Sequence, residues 1–522
     1  MTGNRGVSQA FTEYQAARLR FVQTISDLSS RSHNIEGLEK AGVLDLLEPL
    51  LFDVLPSIQQ TAIATLGKLT NHEEKLAYAV VKRDIRRLTL VLIINRIVLQ
   101  KFYKKSTLYL FRTISKHSED LANFVVDAGG INAIFDSLGD LDFGVKENAV
   151  WAVGYIARHS EDLALKIVAT GVVPLLILCL QEPDNNLKHL SASALYDISK
   201  HTPELAQVVV DNDAIIILAK LLMSEEVKLK RQVLLTLGSI AKHSTNLAES
   251  VVEADIFPSC LLLMGHPDDA VRKNAAILTR EISKHTLELA QLVANAGGIA
   301  ALIEFISTTF KSSTKLPGIM ALGYIAGHSD QIAIAIIGSQ GVVLLSKLLM
   351  QEIDDSTQAI IVWALGQLGK HSPEHAQAVA VTNIFPKFIQ LYMNPKSSQD
   401  LKSKIISSFK NILPKCSAVD ALEPLIGDSP PEILSDILQH LSEILPSDPK
   451  SRRSFVTSGG LKKIQQLQTE PQSKLNEFIS TINSCYPEEI IRYFSPGYPD
   501  ILLEKIEQYT PKPLTGSLKN YS

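Results

Sequence analysis

The chain has few cysteines, almost balanced charge and no long apolar run. Cys179, Cys260, Cys416 and Cys485 form no CxxC pair, and this scatter favours reduced core residues over a metal or redox site. The formal net charge of −4 excludes a global basic field that would draw the chain onto nucleic acid. The longest apolar run, residues 88–94, is too short to span a bilayer, and we find no secretory signal pattern. We therefore expect a soluble, intracellular protein with no nucleic-acid or membrane partner.

Recognised catalytic motifs are also missing from the sequence. It contains no GxxxxGK[ST] phosphate loop, no GxSxG elbow, no HExxH zinc motif and no strand-linked glycine fingerprint. We therefore expect a protein that is not an enzyme and uses no cofactor. It should have no catalytic, cofactor-binding or metal residues.

A regularly spaced histidine is the main positive feature of the sequence. Successive members of the series are 42 or 43 residues apart: His117, His159, His201, His243, His285, His328 and His371. We call them the junction histidines. A period of this length indicates one supersecondary unit copied in tandem.

Each unit reads as three helices. The residue after every junction histidine is Ser or Thr, the types that cap a helix start, and Pro203 and Pro373 follow at the first helical position. Residues that tolerate a left-handed backbone should end this short helix: Gly129, Gly171, Asp213, Asp255, Gly297, Gly341 and Asn383. A second apolar helix, a polar turn and a longer third helix complete the unit. The sequence thus predicts an all-α armadillo-repeat alpha-solenoid, a right-handed superhelix of roughly ten units.

The repeat phase also predicts the domain organisation. We expect an N-terminal capping helix over residues 1–30 and armadillo repeats over residues 31–415, with a regular core over 117–383. Degenerate C-terminal repeats should occupy residues 416–480. A C-terminal segment outside the repeat pattern covers residues 481–522.

The junction histidines have two interpretations. Imidazole titrates near neutral pH and binds transition metals, so a metal or pH-sensing series is one hypothesis. Equivalent residues in adjacent layers lie roughly 10 Å apart, however, which is too far for two of them to share an ion. The favoured interpretation is structural: each histidine ends a third helix and links one unit to the next through exposed carbonyls.

Two tryptophans occupy one column of the third helices. Trp151 and Trp363 stand eight residues before junction histidines, with Tyr155 and Gln367 one turn later. Import receptors of the importin-alpha type repeat a Trp and an Asn at these positions in successive units to bind basic peptides. That repetition is absent here, so the two tryptophans are packing residues or partner anchors.

A basic run over residues 82–105 is a further candidate interaction site. It carries eight Lys or Arg residues against a single Asp, and ends in Lys101, Lys104 and Lys105. The run is either a solvated helix face or an electrostatic contact with an acidic partner such as a microtubule wall.

Several segments resemble the sperm-associated antigen six family. They are Asn483 to Ile490 (NSCYPEEI), Arg492 to Tyr498 (RYFSPGY), Pro317 to Met320, Leu322 to Tyr324, Trp363 to Gln367, and Phe455 to Lys463. The C-terminal block lies outside the generic repeat and so distinguishes this family from other armadillo proteins. Residues 85–101 depart from the family pattern, because they lack the usual proline-initiated second helix.

The resemblance implies a non-enzymatic scaffold of the ciliary or flagellar axoneme. Members of that family lie in the central apparatus, so the implied partners are tubulin of a central-pair microtubule and other central-apparatus proteins, including projection proteins. Self-association of copies is a further expectation. The resemblance also implies a role in central-pair integrity and motility. The main alternative is a soluble adaptor that binds peptide segments as importin-alpha does.

Overall fold

The computed structural model describes residues 2–82, 101–467 and 473–508. Within these ranges the chain forms helices and no strand, so the all-α prediction is confirmed. The chain divides into two compact units, Met1–Leu289 and Ala290–Ser522, which we call the N-terminal unit and the C-terminal unit.

The N-terminal unit begins with one long helix and continues as a series of shorter ones. Its α-helices span Thr2–Leu28, Ile35–Lys40, Val43–Leu47, Pro56–His72, Glu74–Lys82, Lys101–Ser115, Glu119–Asp127, Gly130–Leu138, Phe143–Ala157, Glu161–Ala169, Val172–Gln181, Asn185–Ser199, Pro203–Asp211, Ala214–Leu221, Val227–Ala241, Thr245–Glu253, Phe257–Leu263 and Asp269–Ser283. Short 3-10 helices occupy Ser32–Asn34 and Glu48–Phe52.

The C-terminal unit continues the series, and the helix Leu287–Asn295 lies across the boundary. Its further α-helices span Gly298–Thr308, Ser312–His328, Asp330–Gly338, Gly341–Gln351, Asp355–Gly369, Pro373–Ala380, Phe385–Met393, Gln399–Ile412, Val419–Leu422, Pro431–Ile444, Pro449–Thr457, Gly460–Gln466, Lys474–Ser484, Glu488–Phe494 and Tyr498–Glu507. Short 3-10 helices occupy Leu413–Lys415 and Glu423–Leu425.

The longest helix of each repeat packs against its counterpart in the next repeat. In the N-terminal unit these third helices run in chain order: Pro56–His72, Lys101–Ser115, Phe143–Ala157, Asn185–Ser199, Val227–Ala241 and Asp269–Ser283. In the C-terminal unit the helices Ser312–His328, Asp355–Gly369 and Gln399–Ile412 pack in the same way. Side chains at i, i+3 and i+4 spacing form the core between them.

Polar side chains cap the helix starts that the sequence marks. The hydroxyl of Ser244 accepts a hydrogen bond from the backbone N–H of Leu247 at 3.3 Å, and Thr202 and Ser329 make the same bond in their own units. Third helices instead begin with aspartates such as Asp184, whose carboxylate accepts from the N–H of Leu187 at 2.7 Å. A carboxylate at a helix N-terminus also complements the helix dipole.

The left-handed residue that ends the first helix of a repeat lies where the sequence predicts it in six units. It has positive φ at Gly129, Gly171, Asp213, Asp255, Gly297 and Asn383. In the remaining unit the expectation of Gly341 is wrong, because Gln340 takes the left-handed conformation, with φ of 66°. Gly341 begins the next helix, where a Cβ atom would lie 2.9 Å from the carbonyl oxygen of Ile336. Close backbone approach, not left-handed geometry, explains this glycine.

The N-terminal helix Thr2–Leu28 packs through its C-terminal half on the third helix Pro56–His72. Val22 is fully buried there, and the ammonium of Lys68 donates to the carbonyl of Ser26 at 2.9 Å. The N-terminal half of this helix exposes Phe11 and Tyr14. The capping role of residues 1–30 and the other domain boundaries stay predictions.

Candidate protein-interaction surface

The junction histidines form hydrogen bonds that connect neighbouring repeats. The Nε2 atoms lie 2.6–2.7 Å from main-chain carbonyl oxygens of the preceding third helix. The pairs are His117 with Thr70, His159 with Ser115, His201 with Ala157, His243 with Ser199, His285 with Ala241, and His371 with Ala326. Because a carbonyl oxygen can only accept, each Nε2 donates. His328 is the last residue of the helix Ser312–His328.

Burial favours the neutral form of several of these imidazoles. It lowers the pKa of His159, His243 and His371 below the ordinary histidine value, and this effect outweighs the carbonyl hydrogen bond that favours the charged form. A neutral imidazole still donates through one ring nitrogen, so the bond does not require a charge. Across the ranges that the structure describes, no group of three or more His, Cys, Asp or Glu side chains is arranged to hold a metal ion.

A basic residue directly before the histidine makes a second connection in several repeats. The ammonium of Lys242 donates to the carbonyl of Lys200 at 2.7 Å, and that of Lys284 donates to the carbonyl of Lys242 at 2.9 Å. In the same column, the guanidinium of Arg158 donates to the carbonyl of Lys116 at 2.9 Å. Cations at helix C-terminal ends complement the helix dipole, so the junctions concentrate positive charge.

Trp151 and Tyr155 lie in a cluster of aromatic rings and guanidinium groups. Their ring centroids are 5.0 Å apart. The guanidinium carbon of Arg112, on the preceding third helix, is 4.3 Å from the centre of the Trp151 ring, and that of Arg158 is 4.8 Å from the Tyr155 ring. Cations stacked on aromatic faces at these distances attract the ring electrons. All four side chains are half-exposed, so a partner can reach the cluster.

Trp363 has different surroundings in the C-terminal unit. Its ring lies 5.0 Å from that of Tyr324 in an edge-to-face arrangement. A Cβ atom on Gly323 would come within 2.3 Å of the Trp363 ring, so the ring packs directly on the backbone of the neighbouring third helix. Gln367 accepts a hydrogen bond from the ammonium of Lys370 at 2.7 Å. Trp363 therefore packs on the neighbouring third helix.

The basic run is described only in part. Residues 83–100, which include most of the departure from the family pattern, lie outside the described residues. Lys101 begins the helix Lys101–Ser115. Lys104 forms an ion pair with Asp140 of the next repeat at 2.9 Å, whereas Lys105 is exposed. Of these last two, Lys105 is therefore the more available to a partner.

Sequence reasoning missed Arg112, Lys116 and Arg158 as candidate site residues. The repeat alignment held the signal for two of them, because the residue before the junction histidine is basic in six of seven units: Lys116, Arg158, Lys200, Lys242, Lys284 and Lys370. Arg112 could not be found in this way, since its importance comes from the tryptophan on the next repeat.

Part of the sequence is closely similar to sperm-associated antigen 6. The mouse and human proteins of that name are each 55% identical to the chain over 138 residues, which is 26% of this chain and 27% of each relative. The match thus spans about a quarter of the curated relatives. A scan against models of protein families found no match. The similarity confirms the resemblance inferred from the sequence.

Two engineered or designed proteins are among the solved structures that align with this chain. A crystal structure titled as engineered protein target OR497 aligns with a TM-score of 0.65, at 21% identity, over 85% of this chain and 98% of its own. A designed armadillo repeat protein aligns over 46% of this chain and 100% of its own, with a TM-score of 0.44 and 19% identity. The three-helix repeats and the first alignment support the predicted armadillo-repeat fold, which is confirmed.

In the described ranges, no single helix has both the length and the apolar composition to cross a bilayer. Three pairs of consecutive helices, each with a sharp bend between its members, meet those two criteria when taken together.

Proposed function

We propose that this chain, a relative of sperm-associated antigen 6 with an armadillo-repeat fold, is a non-enzymatic scaffold of the axonemal central apparatus in cilia or flagella. The observation that carries the proposal is the 55% identity to that protein over 138 residues, together with the C-terminal block outside the repeats. The proposed partners are a central-pair microtubule and projection proteins. The proposed role is to support central-pair integrity and motility.

The surroundings of the repeated Ser-His pairs favour a scaffold over an enzyme. A nucleophilic hydroxyl needs a base that can take its proton and a site that admits substrate. At His243 the ring Nε2 donates to a backbone carbonyl, and the adjacent Ser244 hydroxyl accepts from a backbone N–H. Both side chains therefore serve the junction between repeats.

One serine hydroxyl does contact an imidazole. The Oγ atom of Ser372 lies 2.8 Å from Nδ1 of His375, and Nε2 of His375 lies 2.9 Å from the carbonyl oxygen of Asp330. His375 is only 4% exposed, and Ser372 and His375 are three residues apart at a helix start. Such a pair is typical of a helix cap, and burial keeps substrate from the ring.

The chemistry of the third helices argues against an importin-alpha-like adaptor. Such an adaptor needs aromatic and amide side chains in successive repeats, together with an acidic or neutral surface that accepts a basic peptide. Here Trp151 is bordered by Arg112, and Tyr155 is bordered by Arg158. These cations would repel a basic peptide.

Fractionation of isolated axonemes tests the proposal. A tagged copy of the full chain is expressed in ciliated cells, the membrane is removed with detergent, and the axonemes are washed with increasing salt. We expect the tagged chain to stay with the axoneme after detergent and to be released only by salt. Release with the detergent-soluble matrix, or accumulation in the nucleus, would contradict the scaffold function.

A further inference from the structure

Three cations in the N-terminal unit lie together without a carboxylate partner. Arg112 and Lys116 are one turn apart at the end of the third helix Lys101–Ser115, and they share one helix face. Arg158, from the next repeat, donates to the carbonyl of Lys116 at 2.9 Å, so its guanidinium lies over the end of that helix. Among the described residues, none of the three forms an ion pair.

In two later repeats of the N-terminal unit, cations in the same columns are paired with carboxylates. Arg280, five residues before its junction histidine as Arg112 is, forms an ion pair with Glu281. Lys284, in the column of Lys116 and Arg158, also pairs with Glu281, and Lys200 pairs with Asp197 at 2.8 Å. Lys242 also forms no ion pair among the described residues, so what distinguishes the repeats that end at His117 and His159 is that three such cations lie together.

The three cations repel one another, although the carboxylate of Asp197 attracts Arg158. Burial lowers the pKa of the Lys116 ammonium, and the charges of Arg112 and Arg158 lower it further. Like charges held close together are unfavourable unless an anion binds between them. A bound carboxylate would relieve this repulsion.

Aromatic rings hold both guanidinium groups in place while leaving donors free. Arg112 stacks on Trp151 and gives one N–H group to Asn148 at 3.4 Å, and Arg158 stacks on Tyr155. A guanidinium has five N–H donors, and stacking on a ring leaves the donors in its plane accessible. Preorganised donors of this kind bind a planar carboxylate with two hydrogen bonds.

We propose that Arg112, Lys116 and Arg158, together with Trp151 and Tyr155, bind the carboxylates of an extended segment of a partner protein that is rich in glutamate and aspartate. The cations accept the acidic groups, and the rings pack against the side-chain methylenes of the segment. Asp197 in the following repeat limits the site to a short segment and disfavours a continuous polyanion such as nucleic acid. The inference rests on the proposed scaffold function, since it names the chemistry of one partner.

Direct binding of a labelled oligoglutamate peptide to the full chain tests the site. Trp363→Phe leaves Trp151 as the remaining tryptophan, so we expect binding of the peptide to change the fluorescence of Trp151. Arg112→Ala should weaken binding about tenfold, the typical effect of one charged hydrogen bond. Its matched control, Arg280→Ala, removes an arginine from the same column and should leave affinity unchanged. Arg158→Lys keeps the charge but loses the planar donors and the stacking on Tyr155, so it should weaken binding, though less than Arg158→Ala.

Several outcomes would overturn the site. They are no binding of oligoglutamate, equal loss with Arg112→Ala and Arg280→Ala, or tighter binding of oligolysine or of a single-stranded oligonucleotide. Circular dichroism melting of each variant separates lost binding from lost folding. If the peptide does not bind but the tagged chain stays with the axonemes, only the acidic-segment site is rejected. If the peptide binds but the tagged chain washes out of the axonemes, the scaffold function is rejected instead.

Discussion

The imidazole Nε2 of His201 lies 2.7 Å from the main-chain carbonyl oxygen of Ala157, which is 44 residues earlier in the chain. The bond links the end of one third helix to the end of the previous one. Its repetition at other junction histidines means that backbone groups left unpaired at each helix end receive a donor from the following repeat.

Removing a junction histidine should destabilise the protein. We expect His201→Ala to lower the free energy of unfolding by about 1–3 kcal/mol, because a part-buried carbonyl loses its donor. The measurement is urea unfolding followed by circular dichroism. His33→Ala is the control, because His33 is exposed, and it should have little effect. Equal unfolding midpoints for His201→Ala and the unmodified chain would contradict a structural role for the junction histidines.

Stability should fall as the pH drops below the ordinary histidine value of 6.5. Burial holds the pKa of His159 and His243 below that value in the folded chain, so the unfolded chain binds more protons in this window. The contribution is complete above pH 6.5 and is lost as pH falls through the lower folded pKa. Urea midpoints measured at a series of pH values should show the slope, and His159→Gln with His243→Gln should reduce it. A midpoint that rises on acidification through this window would contradict the neutral state.

Replacing Gly341 should destabilise the protein even though its φ is not left-handed. A Cβ atom there would meet the Cγ2 of Ile336 at 2.5 Å and its carbonyl oxygen at 2.9 Å. We expect Gly341→Ala to cost about 1–3 kcal/mol, the usual cost of forced overpacking. Gly338→Ala is the matched control, since nothing lies within 4 Å of a Cβ atom there, and alanine favours the helix that ends at that residue. Thermal melting that ranks the two variants in the opposite order would refute this reading of the backbone contact.

Thiol labelling should distinguish one cysteine from the other three. Cys179, Cys260 and Cys416 are buried, and burial raises the pKa of the Cys260 thiol to about 12. Cys485 is only partly covered. Because the thiolate is the reactive form and needs access, we expect a maleimide to modify Cys485 first in the folded protein and all four cysteines after denaturation. Mass spectrometry of tryptic peptides measures the order.

Reversing charge in the basic segment should weaken binding to microtubules. The combined variant Lys101→Glu, Lys104→Glu and Lys105→Glu should co-sediment less than the unmodified chain, most clearly at low salt. Lys105→Glu alone should account for more of the loss than Lys104→Glu, because Lys104 is paired with Asp140. Lys462→Glu, at an exposed position in the C-terminal unit, is the control. Unchanged co-sedimentation of the triple variant would rule out this electrostatic contact.

The repeat and its helix boundaries could be predicted because local chemistry determines them. A histidine followed by Ser or Thr marks a helix start in any unit, as at Ser160 and Ser244, without knowledge of other repeats. The error at Gly341 has a physical cause: glycine serves both left-handed turns and close backbone contacts, and the sequence does not distinguish them. The prediction failed at Gly341 because glycine is favoured in both of these structural settings.

The cation cluster could not be predicted because it depends on neighbours in space. Arg112 precedes Trp151 by 39 residues, and only the packing of two third helices brings the guanidinium to the ring. The equally basic Arg280 is neutralised by the residue next to it. The repeat alignment places both arginines in one column but does not show that Arg280 is paired and Arg112 is not.

The hydrogen bonds from the junction histidines to the preceding repeat also determine where the chain can be divided or lengthened. Every unit of this kind supplies one imidazole donor and one carbonyl acceptor, so a whole unit could be duplicated or removed and leave every remaining donor with an acceptor. A fragment cut at the end of the third helix Asn185–Ser199 would lack His201 and leave the carbonyl of Ala157 unpaired, whereas one that ends two residues later keeps the bond. The modular boundary of this protein therefore lies just after the histidine and not at the end of the helix.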